Sequence, residues 1–175
     1  MQFLEVINRR RSVRAYSSKP VEDEKLKEIF QAANLAPSAG NLQAYRVHVF
    51  QKREMKEALS KAAFDQTFLI DAPVCLVFCA DPSRSASKYG KRGTELYSVQ
   101  DATIAGTYAM LAAVNLGLAT VWVGAFDEEK VKAVVGDTSI RPVAMFAIGY
   151  PAEEPEATPR RAIEEIFRGD FPQTD

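Results

Sequence analysis

The stretch SVQDATIAGTYAMLAAVNL, residues 98–116, is the longest helical pattern in this chain and provides the framework for the elements around it. It is apolar on nearly all sides and rich in alanine, so the helix should be covered on more than one face. Gly117 follows as a natural helix end, and LATVWVG, residues 118–124, then reads as a strand. In a chain of 175 residues, a helix covered all round indicates a subunit interface as well as a core.

Outward from this stretch, helical and strand patterns follow one another along the chain. Helices are predicted at 3–8, 22–35, 52–63 and 127–135, and strands at 46–50, 73–80, 118–124 and 143–150. The strand PVCLVFCA (73–80) is apolar on both faces and should lie inside the sheet. Residues 81–93 are predicted as a mobile loop or an irregular helix, and residues 151–175 as an extended arm. Together these patterns predict one domain, residues 1–175, with an α+β fold in which helices flank a mixed central sheet.

Composition excludes some classes of protein. The chain has 22 Lys and Arg against 23 Asp and Glu, so a formal charge of -1 argues against a general nucleic-acid or anionic-membrane binder. No long apolar stretch predicts a membrane span, and no secretory signal is expected at the start. Cys75 and Cys79 lie four apart in one predicted strand and are expected to be buried free thiols, which favours a cytoplasmic location.

Motifs for catalysis by side chains or by a metal are missing from the sequence. It contains no GxSxG, GxxxxGK[ST] or GxGxxG motif and no Cys/His cluster with metal-ligand spacing. The one histidine, His48, lies in a predicted strand, where a structural role is the more common one. An enzyme with this sequence would therefore depend on a cofactor for its chemistry.

An arginine-rich segment, RRRSVR at residues 9–14, stands out in this charge-balanced chain. Guanidinium groups, through bidentate hydrogen bonds, and a serine hydroxyl can bind a phosphate. In an extended segment the side chains of Arg10, Ser12 and Arg14 would lie on the same side. The alternative is a solvated basic patch at the end of the first helix, where cations are favourable in any case.

Two further segments have the composition of a binding site. APSAGNLQAYR (36–46) combines small residues with the amides of Asn41 and Gln43, which can both donate and accept hydrogen bonds as the edge of a heterocycle requires. TVWVGAF (120–126) leaves a strand near Gly124 and offers free backbone N–H groups before the next helix. The alternatives are a plain connection between helix and strand for 36–46, and an ordinary strand end for 120–126.

In this order and spacing, the three segments resemble the FMN-dependent nitroreductase family. The similarity runs from FLEVINRRRSVRAYSSKPV to TPRRAIEEI and includes the whole of QDATIAGTYAMLAAVNLGLATVWVGAF. The resemblance implies a homodimer with FMN at the subunit interface and a C-terminal arm exchanged between subunits. It also implies a set of FMN-binding residues: Arg10, Arg11, Ser12, Arg14, Pro37, Ser38, Ala39, Asn41, Gln43, Gln66, Val123, Gly124, Ala125, Arg160 and Arg161.

The same resemblance implies the reaction. NADH or NADPH would pass a hydride to flavin N5, and a nitroaromatic, a quinone or another flavin would then take the electrons by a ping-pong mechanism. The chain departs from the family pattern at Gly124-Ala125, where Gly-Gly is common, and at Gln66, which stands in a region where some members have Asn and Lys. The alternatives are a flavin-fragmenting or reductively dehalogenating family member, and a non-enzymatic module that binds RNA or an acidic partner through RRRSVR.

Overall fold

The computed structural model describes residues 1–169 and contains one four-stranded antiparallel sheet with the order β1-β2-β4-β3. The strands are β1 (Tyr45–Phe50), β2 (Val74–Ala80), β3 (Ala119–Val123) and β4 (Arg141–Gly149). The inner position of β2 confirms the prediction from its apolar faces. The mixed character predicted for the sheet is limited to an isolated parallel bridge between Ser12 and Thr120, because all pairs among the four strands are antiparallel.

Helices cover both faces of this sheet. They are α1 (Phe3–Arg9), α2 (Asp23–Asn34), α3 (Arg53–Ala62), α4 (Phe68–Asp71), α5 (Pro82–Arg92), α6 (Ser98–Asn115), α7 (Glu128–Val135) and α8 (Ile163–Ile166). The predicted elements are confirmed, with ends that move by one or two residues. The α+β class with a helix-flanked central sheet is thus confirmed as well.

The alternation of side chains along β2 produces a core on each side of the sheet. Cys75 and Val77 face the layer built by α3, α4 and α7, whereas Leu76 and Phe78 face the layer built by α2 and α6. Both cysteines are buried and free, as the sequence predicts.

The long helix α6 lies very close to the sheet because its inner face consists of small residues. A Cβ added at Gly106 would lie 2.9 Å from the ring of Phe146. That ring packs edge to face against Phe78 and Trp122, with centroid distances of 5.3 Å and 4.9 Å. The alanines and Gly106 of α6 are therefore needed for this close approach.

For residues 81–93 the irregular-helix alternative is correct, and the mobile-loop alternative is wrong. The Asp81 carboxylate accepts a hydrogen bond from the backbone N–H of Arg84 at 3.1 Å and caps α5, whose first turn contains Pro82. Gly90, with φ 53° and ψ -137°, interrupts the helix. A π-helical turn at Gly93–Tyr97 then connects α5 to α6.

The C-terminal segment 151–169 is almost entirely exposed and extended apart from α8. The apolar residues Ile163, Ile166 and Phe167 have exposed fractions of 49%, 52% and 57%. Residues 170–175, the remainder of the predicted arm, lie outside the described residues.

Candidate functional site

The arginine-rich segment runs beside β3 instead of extending α1. Arg10 ends the helix, and its backbone N–H donates to the Val6 carbonyl. The chain then extends, and the Val13 N–H donates to the Thr120 carbonyl at 3.3 Å next to the Ser12–Thr120 bridge. This pairing fixes the segment and its polar side chains against the sheet.

Those side chains line a cleft of about 660 Å³. The lining residues are Ile7, Asn8, Arg10, Arg11, Ser12, Arg14, Pro155, Glu156, Ala157, Thr158 and Arg160. The structure therefore brings Arg160, from the C-terminal segment, to the same cleft as residues 10–14. Arg161 follows directly on the exposed chain but is not among the lining residues.

The cleft holds four arginines and one carboxylate, Glu156, among its described lining residues. Burial lowers the pKa of Arg10, and the neighbouring positive charges of Arg160 and Arg11 lower it further. Within residues 1–169, none of Arg10, Arg11, Arg14 and Arg160 has a carboxylate oxygen within 4.0 Å. The exposed Arg9, in contrast, lies 3.6 Å from Glu5 and fits the solvated-patch alternative. Guanidiniums crowded in this way are suited to hold an anion.

The turn after β3 lies near the start of α6, where Gly124 and Val99 line a common small cavity. Val123 is buried, whereas Gly124 and Ala125 are exposed, and their backbone N–H groups have no acceptor among the described residues. The side-chain amide of Gln66 donates to the Ala125 carbonyl at 3.2 Å and to the Ala63 carbonyl at 3.0 Å. These two hydrogen bonds connect the turn to Ala63 at the end of α3 through the side chain of Gln66.

One side of the cleft continues into an aromatic surface. The Arg14 guanidinium carbon lies 6.0 Å from the centre of the Phe68 ring, at the outer limit of a cation–π contact. Phe68 begins α4, which follows Gln66 in the chain. Arg14 is thus connected through Phe68 and Gln66 to the turn at Ala125.

The remaining predicted residues, in the loop 37–43, adopt a tight conformation that depends on α6. Gly40, Asn41 and Gln43 have positive φ angles of 57°, 56° and 49°. The Gln43 N–H donates to the Ser38 hydroxyl at 2.9 Å, and Pro37 and Asn41 are exposed.

Asp101 fastens this loop. Its carboxylate is 2% exposed and accepts the backbone N–H groups of Ala39 at 2.9 Å and Ala44 at 3.2 Å. The sequence analysis missed Asp101, although an isolated carboxylate in an alanine-rich helix is a signal that could have found it.

The loop 37–43 and the arginine cleft lie at opposite ends of α6 within one chain. Ala39 binds Asp101 near the start of the helix, whereas Arg11 and Val114 line a common groove near its end. With a rise of 1.5 Å per residue, Asp101 and Val114 are about 20 Å apart along the axis. Among the described residues of one chain, the structure does not bring the two parts of the predicted site into contact.

Glu153 is another residue that the sequence analysis missed. Its carboxylate accepts the backbone N–H groups of Arg14 at 2.5 Å and of Ala15 at 3.1 Å. A separation of 139 residues between Arg14 and Glu153 leaves no local pattern that could have revealed this contact. It keeps the start of the C-terminal segment beside the cleft.

His48 and the two cysteines lie outside the cleft. Burial lowers the pKa of His48, and its Nε2 is buried without a hydrogen-bond partner in the described chain. Burial raises the pKa of Cys75 and Cys79 to about 12, so both thiols are neutral. The described residues contain neither a cluster of His, Cys, Asp or Glu suited to a metal nor a helix that could cross a membrane.

Comparison with known proteins settles the family. The model of the Nitroreductase family matches residues 7–68 and 62–150. The chain belongs to the nitroreductase family. A putative NADH dehydrogenase/NAD(P)H nitroreductase of Archaeoglobus fulgidus is 37% identical over 87% of both chains. An FMN reductase [NAD(P)H] of Bacillus subtilis is 34% identical over 89% of this chain and 68% of its own.

The fold of this nitroreductase-family chain agrees with that assignment. The structure of the NADPH:FMN oxidoreductase from Vibrio harveyi complexed with NAD+ superimposes with a TM-score of 0.88 and 26% identity. It covers 98% of this chain and 78% of that one. Because these relatives are named as oxidoreductases, the family assignment makes this chain an oxidoreductase and not a non-enzymatic anion-binding module.

Proposed function

We propose that this protein is an FMN-dependent oxidoreductase that uses NADH or NADPH to reduce a nitroaromatic, a quinone or a free flavin. The observation that carries the proposal is the cleft that gathers Arg10, Arg11, Arg14 and Arg160, none of which has a carboxylate oxygen within 4.0 Å among residues 1–169. The backbone N–H groups of Gly124 and Ala125, which have no acceptor in the same residues, add two further donors. The reductase activities in the names of the relatives agree with it. The functional unit is the single domain 1–175, and its buried free thiols favour a cytoplasmic location.

The residues of the cleft fit a phosphorylated flavin. Arg10, Arg11 and Arg160 would neutralise the FMN phosphate, and Ser12 would donate a hydroxyl hydrogen bond beside them. Arg161 would complete the clamp from the adjacent position of the C-terminal segment. The lowered pKa of Arg10, caused first by burial and then by the charges of Arg160 and Arg11, supports this fit, because a bound anion would offset both effects.

The other residues would orient the ring and tune its charge. Bound FMN supplies the hydride-accepting chemistry, so no side chain has to act as a general acid or base. Arg14 would hold a positive charge at the pyrimidine edge, where reduction creates negative charge. The N–H of Gly124 or Ala125 would donate to the ring, and Gln66 keeps that turn in place.

A homodimer would unite the two parts of the site. A second chain could place its loop 37–43 (Pro37, Ser38, Ala39, Asn41 and Gln43) beside the cleft of the first, which the 20 Å separation within one chain prevents. The exposed apolar residues Phe3, Leu4 and Ile7 of α1, with exposed fractions of 68%, 70% and 43%, support such an interface. The C-terminal segment would lie against the partner through α8.

Purified protein tests the proposal directly. It should be yellow or take up added FMN, its colour should bleach anaerobically with NADH or NADPH, and an added quinone should restore it. Steady-state rates at several acceptor concentrations should give parallel double-reciprocal lines. The particle mass in solution should be twice the 19.4 kDa of the chain. Protein that contains no flavin and takes up none would overturn the proposal.

A further inference from the structure

A basic and aromatic surface on α5 lies outside the flavin cleft and has no role in the function described so far. We call it the α5 rim and define it by Arg84, Lys88, Tyr89, Arg92 and Tyr97. The three cations are exposed and the two tyrosines are half-buried. Tyr89 and Tyr97 pack edge to face with centroids 5.1 Å apart.

The α5 rim is attached to the loop 37–43. The Arg84 guanidinium donates to the Leu42 carbonyl. A Cβ added to Gly40 would collide with the Tyr89 hydroxyl and would lie 2.8 Å from Nζ of Lys88, so both rim side chains lie directly against this loop. Since that loop is the part proposed to cover the flavin from the partner chain, the α5 rim would border the opening through which a nucleotide reaches the flavin.

Within the described part of the chain, the cations of the α5 rim have no carboxylate partner. Lys91, the neighbouring cation on the same helix, lies 3.7 Å from Glu95. Lys88 and Arg92 have no carboxylate oxygen within 4.0 Å among residues 1–169 and contact aromatic rings instead. Arg92 donates from Nε to the Tyr97 hydroxyl at 2.9 Å, and Lys88 Nζ lies 5.5 Å from the centre of the Tyr89 ring.

We propose that the α5 rim binds the 2′-phosphate of NADPH through Lys88 and Arg92, and that it makes NADPH the preferred reductant. This inference rests on the proposed function. Two uncompensated cations suit a phosphate monoester, which carries nearly two negative charges at neutral pH. The tyrosine rings beside them offer apolar faces on which an adenine can stack. A general affinity for RNA does not follow, because the whole chain carries a charge of -1.

The test compares NADPH with NADH in the flavin-loaded wild type and in the variants Lys88→Ala and Arg92→Ala. Wild type should have the higher kcat/KM with NADPH, and each variant should lower the NADPH-to-NADH ratio of kcat/KM by about tenfold, the loss typical of one charge-assisted contact. Lys91→Ala is the matched control, because it removes the same kind of charge from the same helix where Glu95 already neutralises it. Its ratio should stay within about twofold of wild type.

Binding of adenosine 2′,5′-bisphosphate, measured by calorimetry on the flavin-loaded protein, gives a readout that does not depend on turnover. It should weaken in Lys88→Ala and Arg92→Ala but not in Lys91→Ala. An equal loss with both nucleotides, or an unchanged ratio in both variants, overturns the assignment of the 2′-phosphate. Failure of the proposed function looks different, because wild type would then bind no flavin and oxidise neither nucleotide.

Discussion

Replacing Asp101 by alanine should destabilise the protein more than any exposed substitution of similar size. The change removes the acceptor of two backbone N–H groups, those of Ala39 and Ala44, at 2.9 Å and 3.2 Å. Ala44 is fully buried, so water cannot replace the lost partner there.

The magnitude follows from these two contacts. Hydrogen bonds to a charged group contribute about 1.5–3 kcal/mol each, and removing a buried carboxylate relieves part of its own desolvation cost. We therefore expect the free energy of unfolding to fall by about 3 kcal/mol, with a Tm lower by roughly 6–12 °C in a chain of this size. Asp101→Asn keeps one acceptor oxygen and should lose about half as much.

Urea unfolding at one fixed protein concentration measures this loss. Trp122, the one tryptophan of the chain, lies 4.9 Å from Phe146 in the core and reports unfolding by its fluorescence. Asp23→Ala is the control, because it removes an exposed carboxylate from the first turn of α2 and should change stability by less than about 1 kcal/mol. If Asp101→Ala were no less stable than Asp23→Ala, the role assigned to Asp101 would be refuted.

Three further substitutions test other parts of the structure. Arg10→Ala should weaken FMN binding about tenfold or more, because it removes a phosphate contact, whereas Arg9→Ala should change FMN binding less than twofold. Both affinities can be measured by the quenching of flavin fluorescence when apoprotein is titrated with FMN. Equal effects of the two substitutions would contradict the assignment of Arg10. The thiols of Cys75 and Cys79 have a pKa of about 12 when folded, and the unfolded chain releases these protons at lower pH. Stability should therefore fall above about pH 9 by up to about 1.4 kcal/mol per pH unit for each thiol, and a double alanine variant should show a flatter slope in urea unfolding from pH 8 to 10.5. Gly40→Ala, at φ +57° and against Lys88 Nζ at 2.8 Å, should cost about 1–2 kcal/mol in the same urea assay; wild-type stability would show that the loop can shift to accept a side chain.

The core could be predicted because burial leaves a direct trace in the sequence. Apolar residues on both faces of residues 73–80 indicate an inner strand, and that is the position of β2. The small residues of 98–116 indicate a helix in close contact with other elements, and Gly106 lies against Phe146. Such patterns indicate whether each residue is buried, and this is sufficient to predict the helices, the strands and the layers in which they pack.

The contacts that build the candidate site could not be predicted in the same way. Asp101 and Glu153 each bind backbone N–H groups far away in the chain, and backbone groups have no sequence signal. The polar composition of residues 81–93 left a mobile loop and an irregular helix open, and the Asp81 cap with Pro82 in the first turn starts the helix that the structure shows. The N-cap residue and the proline that follows it are therefore better indicators of structure in this segment than its average polarity.

The opposite positions of the arginine cleft and the loop 37–43 along α6 have a genetic consequence under the proposed dimer. A variant that lacks Arg10 and a variant that lacks Asp101 would each be defective alone. In a mixed dimer, one site would receive both defects and the other would receive none. With equal expression and random association of subunits, half of the dimers would be mixed and one of the two sites in each would be intact. A quarter of all sites would then have the wild-type residues at both positions, so cells that express both variants should be more active than cells that express either one alone.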